Sequence, residues 1–337
     1  LRRKLCLLLN QKVIMRNIYT LLFTLIFMGS LSAQVRYVDE IFTDVTVTND
    51  ITYASNVTVI TTLQGQPPMA LPQNMDIYEP TGDQETERPL IIYLHTGNFL
   101  PKYLNGGATG DRDDNCAVEI CSRFARMGYV VASIDYRLGW NPLAATQKER
   151  TSQLINAAYR GVQDARTAVR YFRMDVAENS NTYGIDPTKI GYFGEGTGGY
   201  ISYAASTISD YNDIIVDDFG APISKFWYDH DNDDLYDHDG DGFLTETDEN
   251  GNPIPNPDAT DPIPNPDATD WIPMVIEGVN GDPEAKQDGF APVAFDENGI
   301  PTQFMQLCIG HYPNYSSDVN FSMNMGGALG DLNWLEE

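Results

Sequence analysis

Positive charge is scarce in this chain, and its scarcity excludes whole classes of partner. The 337 residues contain 21 Lys and Arg against 48 Asp and Glu, which gives a formal net charge of −27. Five of the positive residues fall in Leu1–Ala33, which contains no acidic residue, so the rest of the chain is more acidic still. Nucleic acids and anionic membrane surfaces both require a basic face. We therefore expect neither as a partner, and the acidic balance fits an exported protein that binds cations.

Cysteine is also scarce, with four in the whole chain. Cys6 lies in the N-terminal leader, which leaves Cys116, Cys121 and Cys308, an odd number that permits at most one internal disulfide. Cys116 and Cys121 fall on one predicted helix, where their i, i+5 spacing places them on different faces. That geometry is poor for a bond unless the helix begins after Cys116. The sequence leaves both a disulfide and buried thiols open.

The chain has no apolar run long enough to cross a membrane. Met15–Ala33 instead predicts a secretory signal, in which Arg16 is the positive start, Ile18–Met28 the apolar run and Gly29–Ala33 the cleavage region. Leu1–Ile14 precedes a start methionine and is interpreted as an over-extended reading frame. We expect a secreted or periplasmic protein with no transmembrane anchor after cleavage of the signal.

The apolar periodicity predicts an α/β fold with a mostly parallel sheet, because buried strands alternate with amphipathic helices. The predicted elements, in order, are antiparallel strands within Tyr37–Thr62, strands at Met75–Tyr78 and Leu90–Leu94, a helix at Val118–Met127, a strand at Tyr129–Ile134, a helix at Thr151–Phe172, a strand and helix from Lys189 to about Ser209, and a strand within Val319–Met325.

Composition divides the chain into a leader (1–33), an α/β core (34–210), an acidic insertion (211–300) and a return to the core (301–337). The insertion is crowded with Asp, Pro, Asn and Gly, and it contains PIPNPDATD twice, at Pro253–Asp261 and Pro262–Asp270. Two short polar repeats cannot bury a face of their own. We expect an exposed, extended loop there.

The segment Lys189–Tyr200, KIGYFGEGTGGY, has the frame of a nucleophile elbow without the nucleophile. In G-x-S-x-G, a buried strand turns sharply into a helix and holds a serine hydroxyl clear of the backbone. Here Gly194 and Gly198 are the flanking glycines, Glu195 follows the first, and Gly196 stands where serine belongs. A frame shifted by one residue would place Glu195 at a glycine position, where a side chain crowds the turn. The sequence therefore predicts the turn but not serine chemistry.

Three further segments agree with the elbow. His95-Thr96-Gly97 resembles the HGG oxyanion motif of esterases and lipases. The segment SIDYRL at Ser133–Leu138 resembles an NYRL strand end. Gly161–Tyr171 and Asn181–Gly194 resemble the stretch leading into GESAGG. In this order, over Met75–Ser209 and a strand near Val319–Asp331, they resemble the α/β-hydrolase superfamily, in particular type B carboxylesterases and related esterases and lipases.

The resemblance implies an α/β-hydrolase fold and a site at the end of its sheet. The N–H groups of Gly97 and Thr197 would form the oxyanion hole, with Gly196 at the nucleophile position. The acid and the histidine of a triad should follow the elbow in this fold, but the histidines there, His230, His238 and His311, are interpreted as loop residues. We expect the core to be incomplete at its C-terminal end, with a catalytic histidine encoded beyond Glu337.

A second pattern lies in the insertion and predicts a structural calcium ion. Its candidate ligands, Asp237, Asp239, Asp241, the carbonyl of Phe243 and Asp248, have the spacing of an EF-hand or dockerin-type loop. Gly242 supplies the sharp turn, and Asp248 replaces the usual bidentate Glu. The alternative is an acidic, solvated loop without a metal.

The sequence supports three hypotheses of function. The leading one is an exported α/β-hydrolase-fold protein that binds a small ester or lipid-like ligand and lacks serine-esterase activity. The second is an active secreted carboxylic-ester hydrolase whose nucleophile and histidine are absent from this sequence. The third is a calcium-dependent surface module with a hydrolase scaffold. Asp135, Arg137 and Glu195 are interpreted as a structural network that supports the elbow.

Overall fold

The computed structural model describes residues 34–216, 226–229, 271–296, 300–328 and 330. The predicted secretory signal, the calcium loop and the nonapeptide repeat lie outside the described residues. His230 and His238 lie outside them as well.

The described elements follow the predicted alternation of strands and helices. The strands are β1 Val45–Thr58, β2 Met69–Pro80, β3 Arg88–Leu94, β4 Val130–Ile134, β5 Ile185–Glu195, β6 Trp227–Asp229, β7 Trp271–Pro273, β8 Gly289–Phe295, β9 Pro301–Cys308 and β10 Phe321–Met325. The helices are α1 Lys102–Asn105, α2 Asn115–Met127, α3 Gln147–Glu178, α4 Thr197–Thr207, α5 Asn212–Ile215 and α6 Glu277–Asn280.

The main sheet of the described chain has six strands in the order β1-β2-β4-β3-β5-β10. β1 pairs with β2, and β2 with β4, in antiparallel fashion, whereas β4, β3, β5 and β10 are all parallel. Parallel neighbours require crossover helices, and α2, α3 and α4 follow β3, β4 and β5 as crossovers do. The predicted mostly parallel α/β sheet is confirmed. The predicted antiparallel strands within Tyr37–Thr62 are one strand, β1, whose antiparallel partner is β2.

The two faces of the sheet bury separate sets of side chains. Leu90, Ile92 and Leu94 on β3 join the larger cluster, which contains the buried face of α3. Ile91 and Tyr93 on the same strand join a smaller cluster with α2. Successive side chains of a strand point to opposite faces, so a continuous apolar run is what a strand covered by helices on both sides requires.

Helix α3 is longer than the predicted Thr151–Phe172, since it begins at Gln147 and ends at Glu178. Its first turn is closed by a capping box, in which Thr146 Oγ1 accepts from the Glu149 N–H and the Glu149 carboxylate accepts from the Thr146 N–H. This T-x-x-E pattern is readable in the sequence. Apolar periodicity alone missed the polar first turn and the exposed last one.

Residues 274–285 pack on α3. Tyr159 donates to the Gly281 carbonyl oxygen at 2.7 Å, and Gln163 Nε2 donates to the Asn280 and Asp282 carbonyl oxygens at 2.9 Å each. β8 and β9 pair as an antiparallel hairpin apart from the main sheet. This hairpin spans the predicted boundary between insertion and core at 300/301.

Cys116, Cys121 and Cys308 are all free thiols in the described chain, with Cys116 exposed and the other two buried. Cys121 lies in the packed interface between α2 and the sheet. Of the two alternatives that the sequence left open, the structure shows thiols. No helix among the described residues combines the length and apolarity needed to cross a membrane.

Candidate active site at the elbow

The predicted elbow is present as a sharp turn between β5 and α4. Gly196 is its apex, with φ 53° and ψ −115°, a conformation that L side chains rarely adopt. Its N–H donates to the Met325 carbonyl oxygen of β10 at 2.8 Å. The turn therefore keeps the strained shape that would present a nucleophile, although glycine carries no side chain to present.

The two flanking glycines are required by close backbone packing. A Cβ on Gly194 would lie 2.7 Å from the Gly199 amide nitrogen, and a Cβ on Gly198 would lie 2.8 Å from the His95 carbonyl oxygen. Contacts this short do not occur between a real Cβ and backbone atoms, so both positions accept only glycine. These contacts give a physical reason for the G-x-x-x-G frame read in the sequence.

The side chain of Thr96 lies in the space beside Gly196. A Cβ built on Gly196 would overlap Thr96 Oγ1 and lie 2.9 Å from Thr96 Cβ. The second residue of an HGG motif is a glycine, which leaves this space open to the nucleophile. Here threonine stands at that position, and glycine stands at the nucleophile position. Sequence reasoning noted the missing serine at Gly196 but did not single out Thr96, and it missed that a side chain at position 196 would compete with Thr96 for one volume.

The predicted oxyanion donors lie on the two segments that meet at the elbow. Thr197 is the first residue of α4, where an N–H group has no acceptor within the helix. Gly97 has φ 137°, and the loop around it is braced by Asn105, whose Nδ2 donates to the carbonyl oxygens of Gly97 (3.2 Å), Leu100 (2.9 Å) and Thr109 (2.7 Å). The oxyanion role of Gly97 and Thr197 stays a prediction.

Buried aromatic contacts hold the loop that carries Thr96. The rings of His95 and Tyr136 stack with centroids 4.5 Å apart, and Tyr136 donates to the His95 carbonyl oxygen at 2.8 Å. Burial raises the pKa of Tyr136 above its ordinary value, so the phenol stays protonated and donates. Tyr136 Oη also lies 3.5 Å from Thr197 Oγ1, which ties the loop to the first turn of α4.

A cavity of about 730 Å³ opens beside the elbow. Thr197, Tyr200 and Ile201 of α4 form one wall, and Leu154 and Val162 of α3 belong to another. None of its described lining residues is an Asp or Glu, in a chain that carries 48 of them. Its volume and apolar walls are typical of small-molecule sites. No sequence motif indicated this cavity, because its lining comes from several separate segments of the chain.

The described histidines do not complete a catalytic triad. His95 Nδ1 lies 2.7 Å from the Thr96 carbonyl oxygen, and His311 Nε2 lies 2.8 Å from the Ser55 carbonyl oxygen in β1. Neither ring contacts a carboxylate in the part of the chain that the structure describes. His311 therefore supports packing between its loop and β1, which agrees with its interpretation as a loop residue.

The three polar residues assigned to a supporting network do have structural partners. Glu195 accepts from Tyr93 Oη at 2.7 Å, directly before the elbow. Arg137 Nε donates to Asp164 Oδ1 at 2.9 Å, deep between α3 and the sheet, and Asp135 pairs with Arg112. These contacts fix the strand ends from which the site residues project.

One acidic cluster in the described chain has the spacing of a metal site. Asp111, Asp113 and Asp114 bring carboxylate oxygens within 4.8 Å of one another. Lys102 Nζ already lies among them, at 3.3, 3.6 and 2.5 Å from the three carboxylates respectively. An ammonium group there neutralises part of the charge that would attract a cation, so we assign no metal to this cluster. The predicted ligands Asp237, Asp239, Asp241, Phe243 and Asp248 lie outside the described residues.

The order of strands, the elbow and the loop His95-Thr96-Gly97 (the HTG loop) agree with a match to a known family. Residues 75–219 match the BD-FAE family model. This part of the chain has the α/β-hydrolase fold and is similar to that family. It contains the elbow, the HTG loop and the larger part of the cavity wall.

Several solved structures that are similar to this chain are esterases. The hyperthermophilic esterase from Pyrobaculum calidifontis is 23% identical, and the match covers 49% of this chain and 38% of that chain with a TM-score of 0.28. Thermogutta terrifontis esterase 2 phosphorylated by paraoxon is 22% identical, and the match covers 53% of this chain and 50% of that chain with a TM-score of 0.30. EstE1, a thermostable carboxylesterase from a metagenomic library, is 21% identical, and the match covers 49% of this chain and 41% of that chain with a TM-score of 0.29. This chain therefore spans half or less of the length of these enzymes.

Proposed function

We propose that this α/β-hydrolase domain binds a small ester- or lipid-like ligand in the cavity beside the elbow and does not hydrolyse it by serine attack. The observation that carries the proposal is the pair Gly196 and Thr96. The apex of the elbow has no side chain, and its neighbour's side chain lies in the space that a nucleophile would need.

The rest of the site supports binding. The cavity of about 730 Å³ is apolar and adjoins Thr197, whose N–H is available to a carbonyl oxygen. Removing a triad nucleophile leaves only the residual catalysis of an oxyanion hole and of substrate binding, roughly 10³-fold over water. A bound ester would therefore dissociate unchanged far more often than it is hydrolysed.

The test of turnover uses p-nitrophenyl butyrate and two variants of the oxyanion donor. Thr197→Pro deletes the N–H at a position where proline fits the first helical turn, whereas Thr197→Val keeps the N–H and removes only the hydroxyl. We expect the wild-type protein and Thr197→Val to show at most the residual rate, roughly 10³-fold over water, and Thr197→Pro to fall below it. Turnover by the wild-type protein well above this residual rate would contradict the proposal.

The test of binding uses the fluorescence of Trp140, which lines the cavity and donates from Nε1 to the Asn98 carbonyl oxygen at 2.8 Å. A short-chain ester is expected to change this fluorescence in a saturable manner, and Trp140→Phe is expected to lose the signal. Absence of saturable binding in the wild-type protein would reject the cavity as the ligand site.

We further propose that the protein is exported, either to the periplasm or outside the cell, and that calcium stabilises its acidic insertion. The apolar segment Ile18–Met28 followed by small residues supports export. The alternating carboxylates from Asp237 to Asp241, followed by Gly242, support a structural calcium ion. The mature N-terminus of protein expressed with its leader, read by mass spectrometry, tests export, and cleavage after Ala33 is the expected result.

A further inference from the structure

A second cavity, of about 190 Å³, lies at the end of the sheet beside the β1–β2 hairpin. Strand β2 runs past the end of its neighbour β4, since Met75 pairs with Ile134, the last residue of β4. Gln73 therefore lies beside residues 135–138, which follow β4 as the chain leaves the sheet. The cavity lies between this overhang and residues 135–138.

Gln73 is the unusual residue of this cavity. Its side chain is buried, with the residue only 5% exposed, yet within the described chain neither Oε1 nor Nε2 has a hydrogen-bond partner. Arg137, which lines the same cavity, has one nitrogen in the same condition: Nη1 is buried without a partner, although Nε binds Asp164 and Nη2 binds Gln163. A buried amide without partners destabilises a fold, so a ligand that supplied both partners would remove this cost.

The charges around the cavity are balanced. Arg137 is paired with Asp164, and Asp135, the acidic residue of the lining, is paired with Arg112. Ile60, Leu71 and Leu138 add aliphatic walls. A charged ligand would lack a counter-charge here, so the surroundings favour a neutral molecule.

We propose that this cavity binds a small neutral ligand with a primary carboxamide group. The carbonyl oxygen of the ligand accepts from Gln73 Nε2 and Arg137 Nη1, and its NH2 group donates to Gln73 Oε1. A carboxamide provides a donor and an acceptor on adjacent atoms, which is the complement of the glutamine amide. At roughly 30 Å³ per water-sized group, 190 Å³ corresponds to a ligand of about six heavy atoms.

The test compares three probes of the same size by ligand-observed NMR titration and by crystal soaks of the full chain. Isobutyramide carries the donor and the acceptor, isobutyrate carries a charge and no donor, and 3-methyl-2-butanone carries only the acceptor. We expect isobutyramide to bind saturably in the millimolar range and the other two at least ten-fold more weakly. Equal binding of all three probes, or ordered water alone in the soaked cavity, would overturn the proposal.

Gln73→Met supplies the matched variant, because methionine keeps the length of glutamine without its hydrogen-bonding groups. The exposed Gln84 provides the control variant Gln84→Met. Gln73→Met is expected to lose isobutyramide binding by at least ten-fold and to keep or raise the unliganded Tm, since it removes two unpartnered atoms. A lower Tm for Gln73→Met than for Gln84→Met would instead show that the amide serves the fold alone, and would reject the ligand site. This inference does not depend on the proposed function at the elbow.

Discussion

Thr96 and Gly196 are complementary in volume: the threonine side chain lies where any side chain at position 196 would have to be. A Cβ on Gly196 would lie 2.9 Å from Thr96 Cβ and would overlap Thr96 Oγ1. This chain differs from the esterase motifs at both positions: Thr96 stands where the HGG motif has glycine, and Gly196 stands where the elbow has serine. The absence of the serine is thus accompanied by packing that occupies its place.

This complementarity predicts that Gly196→Ser alone destabilises the protein. Overpacking costs about 1–3 kcal/mol, and a non-glycine residue at φ 53° and ψ −115° adds a backbone penalty on the order of 1–3 kcal/mol. The double variant Thr96→Gly/Gly196→Ser is expected to recover the packing part of the loss. A double-mutant cycle of urea unfolding measures this coupling.

Gly196→Ala is the control for this cycle, because it adds the Cβ without a hydroxyl and should lose about as much stability as Gly196→Ser. If Gly196→Ser were as stable as the wild-type protein, or if the two substitutions were simply additive, Thr96 would not occupy the nucleophile's space.

The cavity beside the elbow predicts that ligand binding is lost when the cavity is filled. Ala158 lies on α3 and lines the cavity, so Ala158→Phe should occupy part of its volume and weaken binding of a short-chain ester by at least ten-fold. Ala177 is exposed on the same helix, and Ala177→Phe should leave binding unchanged. Titration of Trp140 fluorescence in both variants measures the difference. Equal affinities in the two variants would show that the ligand binds elsewhere.

Much of the fold could be predicted from the sequence because its signals are local. Leu90–Leu94 and Tyr129–Ile134 are continuous apolar runs, and both form buried parallel strands. The glycines of the elbow mark a turn whose backbone contacts permit no side chain. Apolar periodicity missed both ends of α3, although the T-x-x-E capping box at its start is itself a local signal; at its end, Ala177 and Glu178 are exposed.

The site could be predicted only in part, because its geometry is set by contacts between distant segments. The sequence located Gly196 and the HTG segment, but the competition between Thr96 and residue 196 joins positions that are 100 residues apart. The cavity likewise combines walls from α3, α4 and the loop after β3, none of which carries a motif for it. The unpartnered amide of Gln73 gives no signal in the sequence at all.

The proposed calcium loop predicts that the stability of the protein depends on the metal. A chelator such as EGTA is expected to lower Tm by several degrees, and added calcium should restore it, because ordering of the loop is coupled to binding. Asp239→Asn/Asp241→Asn should abolish both the shift and the heat of calcium binding in calorimetry. Asp261→Asn, in the repeat of the same insertion, is the control and should respond as the wild-type protein does. A Tm indifferent to EGTA would leave an acidic loop without a structural metal.

Glu284 predicts a loss of stability in acid. Its carboxylate lies 2.9 Å from Arg166 Nη1 and 3.3 Å from Arg170 Nη1 on α3, and it accepts from Ser317. Burial alone would raise its pKa, but the two arginines and the serine hydrogen bond outweigh burial and hold the pKa below its ordinary value. This pairing therefore stabilises the fold above the ordinary glutamate pKa of about 4.3, and the stabilisation is lost as the pH falls through the lowered folded-state pKa.

The pH dependence can be isolated with Glu284→Gln, which keeps the shape and removes the charge. We expect it to lower the free energy of unfolding at pH 7 by about 2 kcal/mol, the usual size of a hydrogen bond to a charged group. At a pH below the folded-state pKa the variant and the wild-type protein should converge, because both then carry a neutral side chain. Urea unfolding at a series of pH values measures the gap. A gap that stays constant down to the acid limit would show that Glu284 acts through packing rather than through its charge.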